Sequence, residues 1–364
     1  MNNIKVGYVT SSLAHENGWG RYSESLIRSV NKKSSVIVLT PKSFEYKEDN
    51  MKVHNVLPEV SFRPLTQIKV FLFCLKYFRQ VDIIHSLVEP YAPGVALAAF
   101  FLRVPFVVTM HGTYSIPPTN FSFKKILMNY MYKRVTIATT GSPFTEKKVR
   151  EIVSFGECRF IPNGVDDAIF YRNLEAKDDN YLLTVGELKK RKGADLVITA
   201  LPLVKKKYPK MKYKIVGNLD NNSFVNHLKK MVKDLKLEES VEFLGRVNDN
   251  ELRNLYNNCS AFVLAARDVE GSFEGFPMVF YEANACGAPV ITTKGFGSEY
   301  AIKNGVNGYV VEPNNAEILA SAIVKSVDSA DLMRKNALKE ASDHTWDKVG
   351  LQLVKLYEDA INIF

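Results

Sequence analysis

Short apolar runs, each followed by a longer segment of helical period, recur along the whole chain. Residues 4–10, 36–40, 83–85, 106–110 and 136–139 read as buried strands, with helical segments between them. A second series begins at 181. It runs as strand 181–185, helix 194–206, strand 213–216, helix 223–235, strand 241–244 and strand 257–264. Strands alternating with helices predict parallel sheets joined by crossovers. Between the series lies I-P-N-G-V-D (161–166), a turn followed by charge-rich, weakly periodic residues, which reads as a domain boundary. The expected fold is therefore α/β: two doubly wound parallel-sheet domains, 1–163 and 164–345, facing a central cleft, with a last helix from 346. At 364 residues the chain suits two domains of this size. Ligands in such sheets bind beyond the carboxyl ends of the strands.

One stretch departs from simple periodicity: R-D-V-E-G-S-F-E-G-F-P-M-V-F-Y-E-A-N-A-C-G-A-P-V, residues 267–290. Pro277 suits the first position of a helix, where its missing N–H would be unbonded anyway. Gly287 suits the left-handed residue that closes that helix, and Pro289 stops it from continuing. Glu274 is thus expected in a loop at the helix mouth, beside the backbone amides of Gly275, Phe276, Pro277 and Met278 (proline contributing none). Glu282 is expected on the helix, its side chain leaning toward the N-terminus. Two carboxylates at neighbouring points suit a ligand rich in hydroxyls, although a plain amphipathic helix with two solvated glutamates has the same spacing.

Other candidates stand at strand ends. Gly18, Trp19 and Gly20 follow the first strand and would let the backbone approach a phosphate at a helix N-terminus. The third glycine of a dinucleotide fingerprint is replaced by Ser23, and residues 31–43 hold no acidic residue, so a nicotinamide site is disfavoured. His85 and His111 both end strands. His111, in T-M-H-G-T, is the functional candidate, and His85 reads as a hydrogen-bonded core residue. Ser142 is explained as a helix N-cap. The loop G-E-L-K-K-R-K-G (186–193) carries four cations between a strand and a helix, enough to neutralise a diphosphate without a metal.

The joint pattern E-G-F-P-x-x-x-x-E-A-x-A-x-G-x-P-V resembles the E-x7-E signature of family 4 glycosyltransferases, which are retaining, use nucleotide sugars and have the GT-B fold of two Rossmann-like domains. I-P-N-G-V-D, N-G-W-G-R-Y, T-M-H-G-T and F-L-G-R-V (243–247) are similar to further motifs of that family. The resemblance implies an acceptor-binding first domain, a donor-binding second domain and a terminal helix that returns to the first. It implies that Glu274 binds the sugar and Glu282 the ribose of a nucleoside diphosphate sugar. The diphosphate would meet Gly18, Trp19, Gly20, Gly186, Arg191 and Lys192. Arg246 and Val247 would hold the base, and His111 would contact the transferred sugar. No metal or other cofactor is implied, and the chain contains neither D-x-D nor H-x-x-x-H. One departure stands out: where the family carries an arginine two residues before its x-x-x-K-G, this chain has Glu187. Either Lys190, Arg191 or Arg267 replaces that arginine or activity is reduced, whereas Lys189 and Lys190 read more simply as a solvated loop.

Composition narrows the partners. Cys74, Cys158, Cys259 and Cys286 fall singly, which fits a reducing compartment and neither disulfides nor zinc. The opening M-N-N-I-K-V enters a strand directly, so a cytoplasmic location is expected. A net charge of +9 favours an anionic donor or an anionic membrane surface over nucleic acid, since no nucleic-acid motif is present. Residues 65–78 and 121–134 mix apolar and basic positions as interfacial helices do. For the first, a core-facing helix with a basic outer face is preferred; the second is open. The expected activity is transfer of a hexose from a UDP- or GDP-linked donor to a glycan or lipid-linked envelope acceptor, at the cytoplasmic face of a membrane. Two rivals share the fold: a sugar-nucleotide 2-epimerase, and a non-catalytic sugar- or lipid-binding relative.

Overall fold

The computed structural model of the protein describes residues 4–15, 18–42, 51–220 and 223–364. The chain divides into one unit of Met1–Gly164 with Trp346–Phe364, and a second of Val165–Thr345. Among the described residues the first unit has seven strands: β1 (Lys5–Val9), β2 (Ser35–Pro41), β3 (Lys52–Leu57), β4 (Ile83–Ser86), β5 (Phe106–Met110), β6 (Ile137–Thr140) and β7 (Glu157–Phe160). All pair in parallel in the order β3-β2-β1-β4-β5-β6-β7. Its helices are α1 (Gly18–Asn31), α2 (Pro64–Tyr77), α3 (Ala92–Leu102), α4 (Phe123–Arg134) and α5 (Pro143–Arg150). Central strands such as F-V-V-T-M are buried throughout, because helices cover both faces of a parallel sheet. The edge strands β3 and β7 are half solvated and lack a continuous apolar run, which is why the sequence pattern did not mark them.

The second unit has β8 (Tyr181–Val185), β9 (Lys212–Val216), β10 (Val241–Gly245), β11 (Ala261–Leu264), β12 (Val290–Thr293) and β13 (Gly308–Val311). They form a parallel sheet in the order β10-β9-β8-β11-β12-β13. Its helices are α6 (Ala194–Lys205), α7 (Ser223–Asp234), α8 (Asp249–Asn258), α9 (Val279–Ala285), α10 (Ala316–Asp328) and α11 (Ala330–Asp343). Asn257, read from the pattern as the start of a strand, closes α8 instead. That helix is set by the reciprocal cap between Asn248 and Glu251. The last helix, α12 (Trp346–Ile363), belongs to the first unit and packs on α1.

Alternation along the strands gives the first sheet two different interiors. Val9, Ile84, Val108 and Ala138 face an apolar core shared with Val70 of α2, Val95 of α3 and Met128 of α4. Their neighbours Tyr8, His85, Thr109 and Thr139 form a buried polar network instead. His85 Nδ1 lies 2.7 Å from the Tyr357 hydroxyl, which lies 2.7 Å from that of Tyr8. His85 Nε2 meets Thr109 Oγ1 at 2.9 Å, and Thr109 meets Thr139 at 3.0 Å. Tyr357 thereby ties α12 to β1 and β4. His85 is the satisfied core histidine expected from the sequence. Ser142 caps α5, accepting the Thr145 N–H at 3.3 Å.

Burial, with a smaller contribution from His111, pushes His85 down from 6.5 to about 3. A histidine held neutral in the folded state stabilises that state above its unfolded pKa and loses the benefit as pH falls. Stability of the first unit should therefore drop by about 1.4 kcal/mol for each pH unit below 6.5, down to about pH 3. Urea unfolding at pH 6.5 and 5 measures it, and the drop should shrink in His85→Gln. An equal drop in the variant would contradict this origin.

Candidate functional site

The carboxyl end of β8 opens into the loop 186–193, whose geometry is imposed by its ends. Gly193 has φ +71° and caps α6 from the left-handed region. A Cβ there would stand 1.9 Å from the Ala265 carbonyl oxygen, so no other residue fits. Between these ends Lys190–Lys192 form one 3-10 turn. Arg267 fastens the turn from outside: its Nε donates to the Lys190 carbonyl at 2.9 Å, its backbone N–H to Arg191 O at 2.9 Å, and its guanidinium pairs with both oxygens of Asp195.

Held in this way, the loop brings two cations to one carboxylate. The Arg191 guanidinium pairs with Glu274 Oε2, and the Lys192 ammonium lies 3.5 Å from the same carboxylate. Glu274 is buried, with its backbone carbonyl accepting the Gly297 N–H at 3.1 Å. Burial alone would raise the Glu274 carboxyl. The charges of Lys192 and Arg191, with their hydrogen bonds, outweigh it and hold the group below its usual range. Glu274 is therefore an ionised acid in a largely desolvated place. Lys192 also folds back over Gly186, its Nζ 3.2 Å from where a Cβ would be.

Among the possible replacements for the cation missing at Glu187, Arg191 is the one on Glu274. Arg267 is committed to Asp195. Lys189 and Lys190 are exposed, and Lys189 pairs with the exposed Glu187 at 2.9 Å.

The rest of the acidic pattern is placed differently in one detail. Helix α9 begins at Val279 with Met278 as its N-cap, so Pro277 is not its first residue. The Pro277 carbonyl accepts the Phe280 N–H at 3.3 Å, a tight turn that leads into the helix. Gly287 has the expected left-handed φ of +81°. Glu282 lies on α9, buried, and accepts from the Tyr256 hydroxyl of α8 at 3.1 Å. Pro277 is buried, whereas Gly275, Phe276 and Met278 are half-buried, and the Phe276 ring lies 5.6 Å from that of Tyr281. At the end of β10, Arg246 is exposed and Val247 half-buried.

In the first unit, Gly18, Trp19 and Gly20 lie inside the first turn of α1 rather than in the loop before it. Glu16 and Asn17 of that loop lie outside the described residues. Gly20 packs so tightly on the segment before α1 that a Cβ would stand 2.1 Å from Ala14 O, while at Gly18 it would meet nothing within 4 Å. His111, one residue beyond β5, is framed by aromatic rings: Tyr22 edge-on at 4.7 Å and Trp19 at 6.3 Å. Its Nε2 donates to the Leu87 carbonyl at 2.8 Å, which fixes the ring and puts a proton on that nitrogen.

Glu89 was not marked by sequence reasoning. It is fully buried, and its Oε1 accepts the His111 N–H at 2.7 Å and the Ser115 hydroxyl at 2.5 Å, while Oε2 is buried without a partner. It fixes the turn that carries His111. The only signal for it was an acidic residue three positions beyond the strand β4. Among the described residues, no group of three or more His, Cys, Asp or Glu side chains is placed to hold a metal ion.

Comparison with known proteins shows the family and the fold. The family model described as glycosyl transferases group 1 matches residues 165–343, and that described as glycosyltransferase family 4 matches 17–169. An uncharacterized glycosyltransferase of Methanocaldococcus jannaschii is 26% identical over 88% of this chain and 89% of its own. The mannosylfructose-phosphate synthase of Agrobacterium fabrum is 31% identical over 54% of this chain, which spans about half of that relative's length (47%). Among solved structures, HepE of Anabaena, crystallised with UDP and glucose, superposes with a TM-score of 0.79 at 20% identity, over 98% of this chain and 100% of that one. Matched by the two models in succession across both of its α/β units, the chain belongs to the group 1, family 4 glycosyltransferases with the GT-B fold.

Proposed function

We propose that the protein is a retaining, metal-independent hexosyltransferase that moves a sugar from a UDP- or GDP-linked donor to a hydroxyl of a glycan or lipid-linked envelope acceptor, at the cytoplasmic side. The observation that carries this reading is the gathering of Arg191 and Lys192 on the ionised, buried Glu274 at the carboxyl end of β8. A nucleoside diphosphate is the leaving group such a pair suits, because two fixed cations in a poorly solvated place offset the charge that builds as the glycosidic bond breaks. Glu274, released from them, accepts hydrogen bonds from sugar hydroxyls, with the amides of Gly275, Phe276 and Met278 beside it. Glu282, already accepting from Tyr256, chelates the ribose diol. Arg246 and Val247 take the base. Gly186 and the Gly18–Trp19–Gly20 turn take the diphosphate, and His111 steadies the transferred sugar. The leaving phosphate deprotonates the acceptor on the face it departs from, which retains configuration. Curated relatives such as the GDP-mannose-dependent mannosyltransferase of Mycolicibacterium smegmatis support a nucleotide-sugar donor.

Arg191 takes the role that the resemblance gives to an arginine at position 187. Arg191→Ala should raise the donor KM about tenfold or more, the range for a charge-assisted contact. Glu187→Ala should change it little. Glu274→Gln should lower transfer roughly 10²–10³-fold, with the melting temperature recorded to exclude unfolding. Steady-state kinetics on the three variants decides this, and an Glu187→Ala loss equal to that of Arg191→Ala would contradict the assignment. Retention is read by NMR of the product formed in excess EDTA: the donor's anomeric configuration should persist at an undiminished rate. An inverted product, or activity restored only by a divalent cation, would overturn the mechanism. Isomerised donor in an acceptor-free incubation would point to an epimerase.

A further inference from the structure

Helices α2, α3 and α4 lie side by side on the first sheet. In α2, Thr66, Gln67, Val70 and Cys74 turn inward. Leu65, Ile68 and Leu72, spaced by three and four residues, form an outward stripe and are 63%, 55% and 55% exposed. The outer face of α2 thus carries the exposed Lys69 and Lys76 that its composition predicted, together with this apolar stripe. The stripe continues across the neighbouring helices. Phe71 meets Phe101 of α3 edge-on at 5.5 Å, and Phe101, 61% exposed, adjoins the exposed Phe100. Arg134 of α4 covers Phe100 at 4.2 Å, and Lys124 of α4 covers Phe62 at 4.8 Å. Just before and within α4, Phe121 is 86% exposed, and Phe123 and Ile126 are exposed too. Single exposed apolar residues are ordinary, whereas a contiguous patch on a soluble face needs a partner.

Charge identifies the partner. The chain has 39 Asp and Glu residues, yet none lies in α2, α3 or α4. Lys69 and Lys76 of α2, and Lys124, Lys125, Lys133 and Arg134 of α4, supply only positive charge. Among the described residues none of these six is ion-paired with a carboxylate. Among the described residues, no helix is long and apolar enough to cross a membrane. Aromatic and aliphatic side chains beside unpaired cations, with no acidic residue between, match the composition of a surface that dips into the headgroup layer of an anionic bilayer. A second copy of the chain is less suited, since pairing this surface with itself would oppose like charges.

We propose that the α2–α3–α4 face docks the protein on anionic membrane lipid, with the apolar side chains entering the headgroup region and the six cations facing lipid phosphates. The inference rests on this surface alone and stands apart from the donor chemistry, so vesicle binding and sugar transfer fail separately. Co-sedimentation of the full chain with phosphatidylglycerol-containing vesicles and with pure phosphatidylcholine vesicles tests it, at low and high salt. Binding should require the anionic lipid and weaken with salt. Ile68→Ser/Leu72→Ser and, separately, Lys124→Glu/Lys125→Glu should each lower the partition coefficient about tenfold or more. Melting temperature and nucleotide binding should stay unchanged in both. No binding to anionic vesicles, or variants that sediment like the parent, would overturn the proposal. A dimer in light scattering that Ile68→Ser/Leu72→Ser dissolves, without vesicle binding by the parent, would instead assign the face to a second copy.

Discussion

An ionised carboxylate with little access to water must be matched by charge, and much of the second unit's local structure follows from that need at Glu274. Two cations reach it only because the β8–α6 loop makes a single tight turn. That turn exists because Gly193 can pass under Ala265 and because Arg267 and Asp195 brace it from the far side. A buried pair that loses one partner leaves a charge stranded, which costs far more than the pair itself contributes. The arrangement is consequently intolerant of single changes. Yet an anion that brings its own charge can take over the cations, provided that other donors, such as sugar hydroxyls, then meet Glu274.

The first unit meets the same physical problem by the opposite route. Its interior polar groups, Tyr8, His85, Thr109, Thr139 and Tyr357, are neutral and satisfy one another across four strands and the last helix. Burial keeps His85 uncharged there. His111 stands just beyond that network, with its backbone fixed by Glu89 and its ring fixed by Leu87. A neutral, hydrogen-bonded frame thus carries one oriented imidazole, while the second unit carries the Glu274 ion cluster.

Legibility followed burial. The central strands were readable because parallel strands covered on both faces are buried without interruption and rich in β-branched and apolar residues, as in F-V-V-T-M and V-I-T-T. The edge strands β3 and β7 have no such run, and β13 offers only the short G-Y-V-V; the pairing of all three is decided by the neighbour rather than by their own residues. Helix starts were displaced for local reasons: α1 reaches back to Gly18, and α9 begins two residues after Pro277 because a tight turn precedes it. The E-x7-E spacing and the four-cation loop were visible as patterns. Which cation of K-K-R-K meets Glu274 was not, since it depends on a contact 83 residues away. Glu89 was silent because a lone acidic residue after a strand has no distinctive spacing. Arg267, visible as a candidate cation, proved to be a brace, a role that only its partner Asp195 reveals.

The central claim is that Arg191 and Lys192 are held by Glu274 in the free protein and given over to the diphosphate. Calorimetric titration of UDP and GDP, without any sugar attached, into the parent chain and Glu274→Gln isolates that exchange. Removing the competing carboxylate charge should tighten binding of whichever nucleotide is recognised, by roughly 1–2 kcal/mol if the pair behaves as a partly desolvated one. Affinity that is unchanged or weaker in Glu274→Gln would show that the cations and the carboxylate do not compete, and the account would fail at its base.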